Sequence, residues 1–184
     1  MKSVFNSLFN TALYHFAKAI KNQPLYFRRI GLKVGSNCRI LTNKFGSEPY
    51  LITIGNNVTV TSGVRFVTHD GSGALMRDSK GRRYSYQPIK IGNNVFVGVN
   101  SILMPGIQIE DNVIIAAGSV VTKSIPQGVI VAGVPAKIIG KFEDLESRML
   151  ASYISDEDFK NQKGAQKEKI LKLTDYSFKP FLAI

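Results

Sequence analysis

Two side chains in this sequence have an ordinary pKa close to neutrality, His15 and His69. An imidazole so poised takes a proton from an attacking hydroxyl or returns one to a leaving group, so general acid–base work is the first chemistry to weigh. His15 sits among apolar residues with helical spacing. His69 sits in Val-Thr-His-Asp-Gly, with carboxylates nearby. A working imidazole needs an acceptor on its other nitrogen; Asp70, Asp78, Glu48 or a backbone carbonyl can serve, and the sequence does not choose among them. Asp70, next to the ring in sequence, reads equally well as a turn residue. Downstream, Met76, Arg77, Arg82, Arg83, Tyr84 and Tyr86 supply cations and aromatic faces within reach of His69. The single thiol, Cys38, excludes an internal disulfide framework and fits a reducing compartment.

What must position these groups is a repeat. From Ile91 an aliphatic residue recurs every sixth position: Ile91, Val97, Leu103, Ile109, Ile115, Val121. Four residues after each comes another small or aliphatic one: Val95, Ser101, Ile107, Val113, Ser119, Ile125. No α-helix has that period and a plain strand has period two, whereas a short strand plus a turn fits it. Three such sides close one coil of eighteen residues. Ile-Gly-Asn-Asn-Val at 91–95 is indeed echoed by Ile-Glu-Asp-Asn-Val at 109–113. The same string stands at 54–58, and Val-Gly-Ser-Asn-Cys at 34–38. The step from 34 to 54 carries two residues beyond one coil, placed near Gly46. The step from 54 to 91 carries nineteen beyond, so a loop should protrude between Thr68 and Pro88, and His69 stands where it departs. Cys38 falls on an inward repeat position and is expected in the core. Gly and Asn at the corners suit left-handed turns. The fold expected is mainly β: a left-handed parallel β-helix of about five to six coils over residues 30–140, with loop 69–88 inserted.

Parallel ladders need covered ends. Residues 1–29 carry a helical apolar stripe, Phe5, Leu8, Phe9, Ala12, Leu13, Phe16, Ala17 and Ile20, ending before Pro24. It reads as an amphipathic helix that caps the coil or meets anionic lipid, and as neither signal peptide nor anchor. Residues 141–184 read as a helical extension. Over 142–173 one or two helices are expected, with Phe142, Leu145, Met149, Tyr153 and Ile154 as the apolar stripe and Ser155 to Asp158 as a helix start. The basic stretch from Lys160 to Lys172 reads as a solvated face. Twenty-four Lys+Arg against thirteen Asp+Glu give a net charge of +11. That favours anionic partners. Nucleic acid is not expected, because interleaved aromatics and a recognition motif are lacking. The expected location is the cytoplasm, with peripheral association at the inner membrane face as an option.

Three segments resemble the hexapeptide-repeat acetyltransferases: Val-Thr-His-Asp-Gly (67–71), Pro-Ile-Lys-Ile-Gly-Asn-Asn-Val-Phe-Val-Gly (88–98), and Ala-Ala-Gly-Ser-Val-Val-Thr-Lys-Ser-Ile-Pro (116–126) followed by Ala-Gly-Val-Pro-Ala-Lys (132–137). The similarity covers about residues 30–140 and is greatest to the maltose/galactoside and the capsular or O-antigen polysaccharide O-acetyltransferases. It implies a homotrimer with acetyl-CoA lying between neighbouring β-helices and a single His at each subunit interface. On that resemblance His69 is the catalytic base. Gly98, Val99, Ala117, Thr122, Lys123 and Lys137 line the cofactor groove. Phe96 stands where the family commonly has Trp, and lines the pantetheine channel or simply packs. The loop beside His69 is expected to face the acceptor through Asp70, Arg77, Arg82 and Tyr84, since aromatic and polar side chains suit sugar rings and arginines suit anionic ones. The alternative is a solvated contact loop.

The resemblance implies acetyl transfer from acetyl-CoA to a hydroxyl of a saccharide, a surface polysaccharide or its precursor, with no metal. The other acceptors in view are an amino-sugar amine and a xenobiotic hydroxyl. A non-enzymatic trimeric membrane-docking scaffold is the competing class. A β-helical carbonic anhydrase needs three histidines around zinc, and this chain has two.

Overall fold

The structure is a computed structural model in which residues 11–13, 16 and 23–180 are described. Most of the amphipathic stripe expected over residues 5–20, and His15, lie outside the described residues.

The repeat folds as three parallel ladders around one core. The first face stacks Lys33–Val34, Ile52–Ile54, Ile89–Ile91 and Gln108–Ile109, and Ile125 adds a bridge to Ile109. The second stacks Arg39–Ile40, Thr59–Val60, Val95–Val97, Val113–Ile115 and Val129–Ala132. The third stacks Arg65–Phe66, Ile102–Leu103 and Val120–Val121. Every aliphatic position of the six-residue series from Ile91 to Val121 is buried, and so is every position four residues after it. Ser101 and Ser119, the two polar members, bond the Ala116 carbonyl at 3.1 and 2.7 Å. Burying each Ile, Leu or Val in such a column contributes roughly 1.5–3 kcal/mol.

The corners explain the Gly-Asn-Asn strings. Asn57, Asn94 and Asn112 hold left-handed backbone at φ 55°, 56° and 56°, which Asn tolerates better than other side chains. Two side-chain hydrogen bonds link them from coil to coil, Asn57 Nδ2 to Asn94 Oδ1 and Asn94 Nδ2 to Asn112 Oδ1, both at 2.7 Å. At Gly55 a Cβ would lie 2.5 Å from the Gly92 carbonyl oxygen, so only glycine lets the coils stack there.

Helix α1 (Gln23–Ile30) covers the first coil. Tyr26 and Phe27 are buried, and Phe27 meets Phe45, which packs on Phe66 with ring centroids 5.3 Å apart. Pro24 is the second residue of this helix, where a missing N–H costs nothing. Cys38 is half-buried at the margin of the core, its thiol donating to the Gly55 carbonyl at 3.1 Å. At the other end, Lys137–Lys141 folds back antiparallel on Val129–Ala132.

Residues 69–88 leave the third corner as two antiparallel pairs, His69–Asp70 with Ser85–Tyr86 and Arg77–Asp78 with Gly81–Arg82. A 3-10 turn, Gly71–Leu75, lies between them.

Met1–Asp144 is one compact unit and Leu145–Ile184 a second. Helix α2 (Phe142–Ser152) begins at the end of the first; α3 (Asp156–Asn161) and α4 (Gln166–Leu173) belong to the second. The segment thus breaks into three helices where one or two were expected. Ser155 and Asp158 form the expected capping box, the Asp158 N–H donating to Ser155 Oγ at 3.0 Å.

Candidate active site

His69 is the partner of Tyr86 at the root of the loop, and its side chain is 41% exposed. Its Nδ1 lies 2.9 Å from Glu48 Oε2. The same oxygen accepts the Thr68 hydroxyl at 2.6 Å. Burial pushes the Glu48 carboxyl up, but the hydrogen bonds from Thr68 and His69 and the His69 charge outweigh it, holding the group below its ordinary value. A buried carboxylate so held keeps Nδ1 protonated and leaves Nε2 as the acceptor.

Of the four acceptors open on sequence, Glu48 is therefore the one in contact. It comes from the irregular stretch that carries the two surplus residues of the first repeat. Gly46, at φ 69°, turns the chain there beneath Phe66 and Thr68, and Pro49–Leu51 follows as a 3-10 turn. Asp70 is occupied elsewhere: its Oδ1 accepts the Ser72 N–H at 2.8 Å and caps the 3-10 turn. Asp78 takes Arg83 as an ion pair.

The loop aligns a row of side chains. Arg82, Tyr84 and Tyr86 alternate along one side of the returning arm. The Arg82 guanidinium carbon is 4.8 Å from the Tyr84 ring centre. Tyr84 and Tyr86 are stacked at 6.3 Å with planes 7° apart, and Tyr86 lies 6.0 Å from the His69 ring. Tyr84 and Tyr86 are both exposed. Tyr86 was noted in the sequence as an aromatic of the loop, but its place against the imidazole comes only from the strand register. Arg77 pairs with Arg82 further out on the loop. Behind His69 an open cavity of about 420 Å³ is lined by Lys44, Arg65, Phe66, Val67 and Thr68.

The groove residues divide between two edges of the third face. Thr122 and Lys123 follow Val120–Val121 at the corner shared with His69, two rungs further along, and both are exposed. Val99, Ala117 and Lys137 lie at the opposite corner, also exposed. There the Val99 carbonyl accepts the Gly118 N–H at 2.8 Å, and the Ala136 N–H reaches the Val120 carbonyl at 2.9 Å. Gly98 is buried at that corner with its N–H bonded to the Ile115 carbonyl at 2.8 Å; a Cβ on it would sit 2.4 Å from the Ala117 nitrogen. One six-residue side separates the two edges, roughly 15–20 Å at about 3.3 Å per residue. The outward column of the second face is Arg39, Thr59, Phe96, Ile114 and Ile130 and that of the third is Arg65, Ile102 and Val120, so both become apolar in their later coils. The first face presents Lys33, Thr53, Lys90 and Gln108 instead. Among the described residues no cluster of three metal-ligating side chains is found.

Comparison with known proteins gives a consistent picture. A family described as "Hexapeptide repeat of succinyl-transferase" matches residues 88–123. Protein CapG of Staphylococcus aureus is 45% identical over 126 residues, covering 67% of this chain and 73% of its own. Galactoside O-acetyltransferase of Escherichia coli (strain K12) is 39% identical over 128 residues, 66% of this chain; the match spans 60% of that protein's length. Among solved structures, a galactoside acetyltransferase in complex with coenzyme A aligns with a TM-score of 0.52 at 30% identity, over 74% of this chain and 76% of that one.

Proposed function

The chain belongs to the hexapeptide-repeat acetyltransferases, whose β-helix is left-handed, and from that membership we propose that it transfers an acetyl group from acetyl-CoA to a hydroxyl of a saccharide, with His69 as general base. The observation that carries the reading is the Glu48–His69 pair at the foot of an exposed aromatic row.

An alcohol is a poor nucleophile at neutral pH, so the base must meet the hydroxyl as it attacks. Glu48 fixes the imidazole with Nε2 free, and the negative carboxylate stabilises the imidazolium that forms when Nε2 takes the hydroxyl proton. Acetyl-CoA, when bound, supplies the thioester and its thiolate leaving group. The protonated His69 then returns its proton to that sulfur, which restores the neutral base.

The cofactor's phosphates and amides suit the two exposed corners: Lys123 and Lys137 offer cations, and Thr122 a hydroxyl. Because those corners lie on opposite edges of one face, a chain alone cannot close a groove from both. A homotrimer joins the His69 edge of one copy to the Val99 and Ala117 edge of the next. The apolar outward residues of the later coils, Phe96, Ile114, Ile102 and Val120, support that assembly. On the acceptor side, Tyr84 and Tyr86 offer ring faces to pyranose C–H surfaces, and Arg82 and Arg77 suit an anionic sugar. Asp70 contributes by shaping the turn that carries this wall.

The test is CoA release in the presence of acetyl-CoA and mono- or oligosaccharides, wild type against His69→Ala. We expect a loss of about 10²- to 10⁴-fold in kcat with an unchanged fold. Wild-type turnover by the variant would remove His69 from the mechanism.

A further inference from the structure

The second compact unit carries large apolar side chains that it does not bury. None of the residues in α2, α3 or α4 is buried. Ile170 and Leu171 are exposed on α4, Tyr176 is exposed just beyond it, and Phe178 is 98% exposed. All four fall within nine residues of sequence. The Tyr176 hydroxyl donates to the Leu171 carbonyl at 3.0 Å, which folds the chain after α4 back along the end of that helix.

Lysines dominate the charge of this stretch. Lys160, Lys163, Lys167, Lys169, Lys172 and Lys179 stand against Glu168 and Asp175 between residues 159 and 180. Both acids are engaged locally, Glu168 with the Ala165 N–H and Asp175 with Ser177. Among the described residues, none of these lysines is ion-paired. Lys169 lies over the Phe159 ring at 5.6 Å and Lys172 donates to the Lys163 carbonyl at 3.2 Å, so those two brace the unit. Lys160, Lys163, Lys167 and Lys179 have no such task.

Uncompensated cations beside exposed Ile, Leu, Tyr and Phe fit a partner that is anionic on its surface and apolar just beneath it. A bilayer with anionic headgroups has that layering. Lysines reach the phosphates while aliphatic and aromatic side chains enter the acyl boundary. Double-stranded nucleic acid and acidic protein surfaces satisfy the charges but offer aliphatic Ile170 and Leu171 no apolar layer to enter. Among the described residues no helix is long and apolar enough to cross a membrane, so the contact lies in the plane of the surface. We infer that the C-terminal unit docks the protein on an anionic lipid surface through Ile170, Leu171, Tyr176 and Phe178, with Lys160, Lys163, Lys167 and Lys179 as the electrostatic rim. This stands apart from the acetyl-transfer reading and survives its failure.

Co-sedimentation of the full chain with vesicles tests it. One set is an equimolar mixture of phosphatidylglycerol and phosphatidylcholine, the other phosphatidylcholine alone. The chain is expected to pellet with the anionic set only, and to be released as salt rises. Leu171→Ser combined with Phe178→Ser should weaken the partition by roughly tenfold or more. Lys167→Gln combined with Lys179→Gln should weaken it by roughly fivefold per lysine. All four side chains are exposed, so an unchanged Tm confirms that the fold is intact. A wild-type chain that stays in the supernatant with anionic vesicles overturns the inference. So does binding at the wild-type level by both double variants, which would place the lipid contact elsewhere in the chain. A Leu171→Ser, Phe178→Ser protein that binds vesicles normally but sediments as a smaller species also overturns it, because the patch is then a contact between copies.

Discussion

At Glu48 one carboxylate oxygen serves Thr68 and His69 together, at 2.6 and 2.9 Å, and that sharing has two measurable consequences. Glu48→Gln retains the size of the side chain and removes its charge. An amide NH₂ facing Nδ1 imposes the wrong tautomer, so kcat should fall by roughly 10² to 10⁴-fold, with acetyl-CoA affinity little changed. A variant with near wild-type kcat would show that the imidazole needs no anion behind it. The second consequence concerns stability. The folded-state pKa of Glu48 is depressed below its ordinary 4.5, so the native state binds fewer protons than the unfolded chain as acid is added. The stabilisation is complete above 4.5 and is lost as pH falls through the lowered native value. Urea midpoints measured from neutrality down through that range should therefore decline more steeply for wild type than for Glu48→Gln. Parallel curves would argue against the depressed carboxylate.

Among the elements, the corners are where type and backbone are most tightly coupled. Asn94 combines φ 56° with two side-chain bonds in the ladder. Asn94→Gly keeps the backbone conformation and loses the bonds, at about 1 kcal/mol. Asn94→Ala loses the bonds and also strains the backbone, so about 2–3 kcal/mol is expected in chemical denaturation. Equal losses would mean that the left-handed turn carries no cost. These same corners show why so much of the β-helix was legible in the chain. A period of six fixes which two positions of each repeat point inward, so Ile91 to Val121 are assigned from spacing alone. Glu48 could not be singled out, because it belongs to the stretch where two surplus residues break the period, and its bond to His69 arises from which coil lies under which. The split of the groove residues between two edges was hidden too, since a linear motif does not say which corner of a triangle it occupies.

For the proposed homotrimer, the division of the site predicts complementation. His69→Ala spoils one edge of each copy, and Ala117→Arg, at an exposed corner, spoils the other. Each alone should be inactive. Co-expressed, they form mixed trimers in which an intact His69 edge faces an intact Ala117 edge at one seam, and turnover should reappear. Persistent silence in verified mixed trimers would assign the whole site to a single copy.

The return strand Lys137–Lys141 sets a limit of another kind. Each coil offers the next a row of unpaired amides and carbonyls running the same way, and nothing in the repeat itself says when to stop. By running backwards along Val129–Ala132, this strand occupies the edge of that face on which another parallel coil would have to be laid. A winding that otherwise resembles the start of a fibre is thereby kept to a finite length.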